Sequence, residues 1–161
     1  MPKLTAERLR EVLAYDPLTG AFTWLVNRRG RFARKGMRAG TLTCRGYRQI
    51  CVDCRLYDAG PLAVLWMTGQ WPDRLVDHRN LNKGDDRWKN LREANHSQNG
   101  ANARGRGPLP KGVTRDRSKF VAHIRVNYRT LYLGTFNTAK AAHARYCKAA
   151  VEHFGEFART Q

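Results

Sequence analysis

The stretch that decides the fold covers residues 76–102 and reads VDHRNLNKGDDRWKNLREANHSQNGAN. Asp77 and His78 stand together near its start. Asn90 follows His78 by twelve residues, and Asn99 comes nine residues after that. Hydrolysis of a phosphodiester needs a base that works near neutral pH and a hard cation that neutralises the developing charge. Because histidine supplies such a base and side-chain oxygens bind hard cations, this spacing indicates a nuclease site.

The side chains in this stretch also indicate the metal. Asp77 offers an anionic oxygen ligand and Asn99 a neutral carbonyl ligand, and no cysteine or second predicted histidine ligand accompanies them. This set favours magnesium or manganese over zinc, and it leaves His78 free to act as the base. The alternative is structural, since an isolated Asp-His pair is more often a capped turn or a surface pair than a catalytic centre.

The stretch resembles the HNH endonucleases of the ββα-metal class, particularly the phage and intron-encoded homing endonucleases. The resemblance lies in the Asp-His pair, the Asn-Leu of residues 90–91 and the flanking residues Trp71, Pro72, Ser97, Gln98, Asn99 and Asn102. It implies that His78 is the general base and that Asp77 and Asn99 hold Mg²⁺ or Mn²⁺, with no zinc expected. It also implies that Asn90 braces the loop between strand and helix and orients His78. His96 has no fixed role in that family, so we interpret it as a surface or phosphate-facing histidine.

Two positions depart from the family pattern. Proteins of this type carry Ala-His-Arg-Leu where this chain has residues 59–62, Ala-Gly-Pro-Leu, so a histidine and an arginine near the family's site are missing. Pro61 suits the first helical position, and a helix is still expected at residues 62–67, ending at Gly69. The milder departure is Asp86, where the family commonly has asparagine.

The charge of the whole chain predicts a polyanionic partner. Thirty Lys and Arg against thirteen Asp and Glu give a net charge of +17 in 161 residues. Phosphate contacts would offset the self-repulsion, so double-stranded DNA is the predicted partner. A membrane surface is the competing explanation, but it usually concentrates basic residues on one amphipathic helix, and here they are spread along the chain. No membrane association is expected, and the predicted location is the cytoplasm, of the host cell if the protein is phage-encoded.

The four cysteines allow other interpretations. Cys51 and Cys54 form a C-x-x-C pair, whereas Cys44 and Cys147 are isolated. A structural zinc site and disulfides are the alternatives considered. Neither is favoured, because no second pair follows at a matching distance and the expected compartment is reducing.

The residues before the motif predict a helix, a turn and strands. Thr5 can cap a helix at residues 5–14, and the turn YDPLTG at 15–20 leads into a strand at 21–26. Two further strands are expected at residues 47–52 and 55–57. Between residues 28 and 48 there are eight basic residues and no acidic one. The alternatives there are a solvated loop and a DNA-backbone surface, and we favour the second. The predicted phosphate-facing group is Arg28, Arg29, Arg31, Arg34 and Lys35.

A change of composition separates two predicted domains. The segment after Asn99 is rich in glycine and proline, which does not support a packed element. We predict a nuclease domain at residues 1–103, a basic linker at 104–111 and a small domain at 112–161. Arg104 and Arg106 are expected to contact DNA from the linker.

The last fifty residues predict three short strands and a helix. Strands are expected at residues 112–116 and 120–126, the second with Phe120, Ala122, Ile124 and Val126 on one face. A turn at Asn127 and Tyr128 leads into a third strand in which Leu131 and Leu133 are expected to face the core. Thr138 can cap the final helix. The phrases GVTRD, YLGTF, AAHARY and HFGEFAR resemble the ethylene-response-factor-like (integrase-type) DNA-binding domain. The resemblance implies a three-stranded antiparallel sheet on one helix, with the sheet entering the major groove. The implied DNA readers are Arg115, Arg117, Lys119, His123, Arg125, Arg129 and Tyr132.

The prediction is therefore an α+β protein in which an HNH nuclease domain precedes a DNA-binding domain. Its expected activity is metal-dependent cleavage of DNA, by a nick or a double-strand break, at a site chosen by the second domain. One alternative is a DNA-binding regulator or architectural protein on a catalytically silent HNH fold. Another is an RNA-directed nuclease or binder, which the charge also permits.

Overall fold

The computed structural model describes residues 4–29, 33–105 and 107–160. The chain divides into two compact units, with the boundary between Glu93 and Ala94. Both units combine helices with small sheets of antiparallel strands, so the predicted α+β class is confirmed. Within these described ranges, no helix has the length and apolar character needed to cross a membrane.

The first unit begins with helix α1, Ala6–Val12. The Thr5 side-chain oxygen accepts a hydrogen bond from the backbone N–H of Arg8 at 3.2 Å, which is the predicted cap. The helix ends two residues before its predicted end. The reason is that Leu13 adopts an extended backbone and starts the first strand.

An antiparallel hairpin follows the helix. Strand β1 spans Leu13–Asp16 and strand β2 spans Ala21–Trp24, two residues shorter than predicted. The Asp16 carboxylate accepts hydrogen bonds from two groups of the turn between the strands. Gly20 closes that turn with a φ of 72°, a conformation that favours glycine.

The next sheet has three strands in the order β3-β4-β5. They span Thr41–Leu42, Arg48–Val52 and Arg55–Asp58. The turn from β4 to β5 places Asp53 and Cys54 at φ values of 47° and 62°, as tight two-residue hairpin turns require. The two strands predicted here are confirmed to within one residue at each end.

Helix α2 spans Ala59–Thr68 and ends at Gly69, which takes the left-handed conformation common at helix ends. The helix starts three residues before the predicted Leu62. Pro61 is therefore its third residue and not its first. That position is still tolerated, because the first four N–H groups of a helix have no partner within the helix.

The apolar side chains of these elements form the core of the first unit. Leu9, Phe22, Ile50 and Leu62 are all fully buried in it. Each such side chain stabilises the fold by about 1.5–3 kcal/mol through removal from water. Phe22 is the largest, and its truncation to alanine is expected to cost about 3–5 kcal/mol.

A second two-stranded sheet carries the predicted nuclease motif. Strand β6 spans Leu75–His78, a 3-10 turn spans Trp88–Asn90, and strand β7 spans Leu91–Ala94. Helix α3, His96–Asn102, follows in the second unit. The order along the chain is strand, strand, helix, and the ββα arrangement remains a prediction.

The second unit contains an antiparallel sheet in the order β10-β9-β8 and a long helix packed against it. Strand β8 spans Val113–Asp116, strand β9 spans Lys119–Val126 and strand β10 spans Arg129–Phe136. Helix α4 spans Ala139–Phe154. Asn127 and Tyr128 form the predicted turn with positive φ values of 47° and 67°. The Thr138 side chain accepts from the backbone N–H of Ala141 and caps α4 as predicted.

Strand β10 differs from the prediction in one residue. Leu133 packs against the core, but Leu131 is 39% exposed. The strand is irregular between Tyr132 and Gly134, where the pairing with β9 shifts its register. Leu131 pairs with buried Ile124 and so lies on the predicted face of the sheet, but it is less covered there than Leu133.

Helix α3 packs within the second unit. Ala94 and Ala101 share a core with Ile124 of β9 and Tyr146 of α4. Gly112 lies directly against this core: its φ is 76°, and a Cβ there would overlap the ring of Tyr146. Position 112 therefore requires glycine for both its backbone conformation and its lack of a side chain.

The segment predicted as a linker is tied to helix α3 by Lys111. The lysine amine donates to three backbone carbonyl oxygens at the carboxyl end of the helix, where carbonyls lack partners within the helix. These carbonyls belong to Gly100, Ala101 and Ala103. Burial and the charge of Arg159 lower the pKa of Lys111 to about 8.

Candidate active site and nucleic-acid interface

Strand β6 brings Asp77 and His78 to its carboxyl end. Asp77 is 4% exposed and His78 is 5% exposed. Successive side chains of a strand point to opposite faces of a sheet. The two side chains accordingly have different charged partners, Arg92 for Asp77 and Asp86 for His78.

The His78 imidazole lies against a buried carboxylate. Its Nε2 atom is 3.1 Å from Oδ1 of Asp86, whose side chain is 2% exposed. The Tyr15 hydroxyl donates to the backbone oxygen of Asp86 at 2.7 Å, and burial with the nearby Asp86 charge raises the pKa of Tyr15. The sequence identified Asp86 only as a departure from a family pattern. Asp86 follows His78 by eight residues and contacts it across a loop, and no local sequence pattern indicates such a contact. Gly20 approaches this loop so closely that a Cβ there would overlap the backbone of Asp86 and Arg87.

Asn90 holds that loop in place. Its side-chain oxygen accepts from the backbone N–H of Asn80 at 3.0 Å, and its side-chain nitrogen donates to the backbone oxygen of Asp85 at 2.7 Å. Its own backbone oxygen accepts from the N–H of Arg79 at 2.9 Å. These bonds connect both ends of residues 79–87. The prediction that Asn90 braces the loop between strand and helix and orients His78 remains a prediction.

Asp77 forms a buried ion pair with Arg92. Both Nε and Nη2 of the guanidinium lie 3.0 Å from Oδ2 of Asp77. The two side chains are 7% and 4% exposed, so the pair is shielded from water. No sequence signal indicated this pairing of Arg92 with Asp77.

The site contains the type of oxygen ligand that a hard divalent cation binds. Within the described residues no cluster of three or more His, Cys, Asp or Glu side chains could hold a metal by itself. Magnesium commonly binds one or two carboxylates and completes its shell with water and substrate phosphate oxygens. Asp77 supplies one such carboxylate, and any cation there would share it with Arg92.

Helix α2 closes one side of the histidine. A Cβ on Gly60 would lie 3.8 Å from Cε1 of His78, 3.7 Å from Oδ1 of Asp86 and 3.3 Å from Cγ1 of Val76. The glycine that replaces the family histidine therefore borders the His78–Asp86 pair. A larger residue at position 60 would have to displace one of these neighbours.

Tyr47 and Lys83 lie on another side of His78. The Tyr47 ring centre is 6.1 Å from that of His78, and the Lys83 ammonium is 4.7 Å from the centre of the Tyr47 ring. Lys83 is exposed. Lys83 thus contacts the ring that lies next to His78, and no sequence pattern indicated this contact.

Residues 62–101 match a family model of HNH endonucleases. The matched region begins in helix α2, contains Asp77, His78 and Asn90, and ends within helix α3. It covers about a quarter of the chain and supports an HNH nuclease, whose substrate is a nucleic acid. A search of curated proteins gives no match.

The remaining predicted metal ligand, Asn99, lies within the HNH region on helix α3. It is exposed, and its backbone N–H donates to the backbone oxygen of Asn95 at 2.9 Å. Asn95 and Gln98 form reciprocal capping bonds at the start of this helix. The ligand role of Asn99 remains a prediction.

The predicted phosphate-binding residues of the first unit have different environments. Arg28 is held by Asp53 at 3.1 Å and lies 5.4 Å from the Trp24 ring centre, which gives it a structural role. Its predicted companions Arg29, Arg34 and Lys35 are exposed, as is Arg104 of the predicted linker. The predicted contacts Arg31 and Arg106 lie outside the described residues.

The sheet of the second unit presents the predicted DNA readers on different faces. The register pairs Arg125 with Thr130 and His123 with Tyr132, on the face opposite buried Ala122 and Ile124. Lys119 shares that outer face by alternation. Arg115 pairs with Phe120 and Arg129 pairs with Val126, so both arginines are at positions on the face of the sheet that carries helix α4. Arg117 lies in a turn and has a φ of 51°. Tyr132 is 67% exposed, which leaves its ring available for stacking.

Proposed function

We propose that the protein is a divalent-metal-dependent DNA endonuclease of the homing type. The observation that carries the proposal is the buried His78, held by Asp86 and preceded by Asp77, within the region that matches HNH endonucleases. A histidine in contact with a carboxylate is the arrangement that many hydrolases use for a general base. The excess of positive charge supports a polyanionic substrate.

In this proposal His78 accepts a proton from the water that attacks phosphorus. The HNH resemblance assigns Asp77 and Asn99 to a bound Mg²⁺ or Mn²⁺, which would neutralise charge on the phosphate and on the departing 3′ oxygen. Exposed Lys83, which lies over the Tyr47 ring, would contact a phosphate of the substrate. Asn90 keeps the loop after β6 in the conformation that presents His78.

The second unit would recognise the target site on DNA. Its outer sheet face carries Lys119, Arg125 and Tyr132, and arginine can bind guanine through two hydrogen bonds. A double-stranded target is proposed because a three-stranded sheet suits the major groove, as the ethylene-response-factor resemblance implies. One active site per chain would nick DNA, and a dimer could cut both strands.

The test is conversion of supercoiled plasmid with magnesium, with manganese and with EDTA. Wild-type protein is compared with His78→Ala and with the matched control His153→Ala, which removes an exposed histidine of helix α4. Loss of a general base is expected to reduce the rate by about 10²–10⁴-fold. Metal-dependent cleavage that disappears only in His78→Ala supports the proposal. Equal cleavage by both variants would refute the role of His78.

The Asp77–Arg92 pair favours one alternative, a DNA-binding regulator on a silent HNH fold. The guanidinium already neutralises the carboxylate that the cation would need, and Gly60 and Pro61 replace two family residues. Tight DNA binding without cleavage in either metal would support this alternative. Competition between duplex DNA and RNA at a fixed salt concentration separates it from an RNA-directed protein.

A further inference from the structure

The second unit contains a cavity that the proposed cleavage reaction does not use. Its volume is about 370 Å³, and sites for small organic ligands commonly have about 300–1,000 Å³. Its lining residues all belong to residues 94–161. We propose that this cavity binds one unpaired nucleobase of DNA and that its rim binds the adjacent phosphate. The site depends on the proposed function for DNA as its ligand, but its occupancy can be measured without cleavage.

The cavity borders an edge of strand β9 that its neighbour β8 leaves partly uncovered. Strand β8 pairs with only the first half of β9, after which the backbone N–H of His123 donates to the oxygen of Gly112 at 2.9 Å. Further along the same edge, the Ser97 hydroxyl of helix α3 accepts from the backbone N–H of Asn127 at 3.0 Å. Between these two bonds no strand of the described residues pairs with the edge. Because alternate residues direct their backbone groups to the same edge, the N–H and C=O of Arg125 are directed there too.

The floor of the cavity is apolar and aromatic. It is formed by Ile124, Tyr146 and Phe154, each less than a tenth exposed, and by Ala101 of helix α3, which is 5% exposed. A nucleobase is flat, and every base has a π-face that can stack on such a surface. The floor is therefore suited to a base and not to a phosphate alone.

The rim of the cavity is basic. It carries His96, His123 and Arg125. In the part of the chain that the structure describes, these three side chains make no hydrogen bond or ion pair, and no aspartate or glutamate lines the cavity. Arg125 lies 5.9 Å from the ring centre of Tyr128, which also lines the cavity and is 72% exposed. The rim can thus offer donors to a phosphate and an aromatic ring to a base.

The combination of floor and rim favours a nucleotide of DNA as the ligand. Lys111 also lines the cavity, but its ammonium already donates to three backbone carbonyl oxygens and so contributes charge without a free donor. The net charge of +17 attracts a polyanion to the surface around the opening. In a polyanionic nucleic acid, an unpaired base provides a flat apolar face next to a phosphate. Extrusion of a base costs least where the base already lacks a partner.

Fluorescence anisotropy with two labelled duplexes tests the site. One duplex carries a single bulged adenine nucleotide, and the other carries an abasic residue at the same place, so both have the same phosphates. Binding is measured at one salt concentration and in EDTA, which prevents metal-dependent cleavage. Because base stacking on aromatic side chains strengthens binding by about 5- to 100-fold, the wild type should prefer the bulged adenine by that factor. Equal dissociation constants for the two duplexes would overturn the proposal.

A leucine in the cavity tests whether this preference arises there. Gly100 lines the cavity, and a Cβ at this position would meet no described heavy atom within 4 Å. Leucine also favours a helix more than glycine does. Gly100→Leu should therefore fill the cavity and reduce the preference for the bulged adenine to about twofold or less. The control Ala141→Leu adds the same side chain at an exposed position of helix α4 outside the cavity, and it should keep the wild-type preference.

A second variant removes the exposed ring at the rim. Tyr128→Asn suits the backbone, because asparagine tolerates the φ of 67° at this position. It should lower the preference for the bulged adenine by about fivefold or more. This variant decides the question if Gly100→Leu does not fold. A wild-type preference in every folded cavity variant would overturn the proposal.

Amide NMR spectra of the two complexes locate the base. Spectra of the protein with the bulged and with the abasic duplex should differ at the cavity residues Gly100, Gly112 and Ile124. Differences confined to other residues would overturn the assignment of the base to this cavity. If the wild-type protein prefers the bulged adenine but cleaves no plasmid with either metal, the proposed catalytic function fails and the base site stands.

Discussion

Replacement of Arg92 by leucine tests the buried ion pair next to the proposed catalytic histidine. The guanidinium makes two contacts of 3.0 Å with one oxygen of Asp77, and both side chains are more than nine-tenths buried. Removing one partner of a buried ion pair typically costs about 3–5 kcal/mol. We therefore expect Arg92→Leu to lower the free energy of unfolding of the first unit by that amount.

The assay is urea denaturation followed by tryptophan fluorescence. All four tryptophans belong to the first unit, so the signal reports on the part of the chain that contains the pair. The control Arg74→Leu removes an exposed arginine beside strand β6 and should change stability by about 0.5 kcal/mol or less. The four tryptophans are Trp24, Trp66, Trp71 and Trp88.

A double variant makes the result decisive. Replacing both Asp77 and Arg92 by leucine removes both charges, and apolar replacements of a buried pair are often nearly neutral. The double variant should therefore be clearly more stable than Arg92→Leu alone. If Arg92→Leu lies within about 1 kcal/mol of wild type, the pair is hydrated in solution and the reasoning from burial is wrong.

Three further predictions address other parts of the chain. Gly112→Ala should destabilise the second unit by at least about 2 kcal/mol in thermal unfolding, because its φ of 76° strains any other residue and its Cβ would overlap Tyr146; an unchanged melting temperature would contradict this. Hydrogen bonds, chiefly from Arg87, lower the pKa of Asp85 to about 2, below its model-compound value of 3.8. The stabilisation that ionised Asp85 gives the folded state is complete above pH 3.8 and is lost as the pH falls toward 2. Asp85→Asn should therefore remove about 1 kcal/mol of acid-dependent stability, after allowance for solvent screening. An acid-unfolding profile identical to that of the wild type would refute this prediction. Arg125→Ala should weaken specific DNA binding by about 1–3 kcal/mol in a fluorescence-anisotropy titration and Arg129→Ala clearly less, since only Arg125 lies on the outer sheet face; equal losses would argue against that face as the reader.

Local patterns in the sequence were sufficient for most elements. Thr5 marked the start of the first helix, Gly69 marked the end of the second, and the alternation in residues 120–126 gave the central strand of the second unit. These features depend on neighbours within a few residues, so a single sequence contains them. The end of α1 was missed because Leu13 could have extended the helix, but it pairs with Trp24 of β2 instead.

The candidate site was only partly predictable, for a physical reason. The spacing from Asp77 to Asn90 indicated a nuclease, and residues 62–101 match HNH endonucleases. The partner of His78 could not be predicted, because Asp86 lies eight residues further on and its backbone oxygen is bound by Tyr15, about seventy residues away in the sequence. The 39% exposure of Leu131 was missed as well, because alternation along a strand gives the face of a side chain and not how much of it is covered.

The close approach of Gly20 to the loop behind His78 has a consequence for genetics. The turn at residues 17–20 contacts neither the proposed metal nor the proposed base, and in a mutational scan it would resemble a tolerant surface loop. Substitutions at Gly20 must nevertheless displace the backbone of Asp86 and Arg87. A selection for cells that survive expression of an active nuclease should therefore recover inactive alleles at codon 20. Those alleles would leave every residue of the HNH region intact.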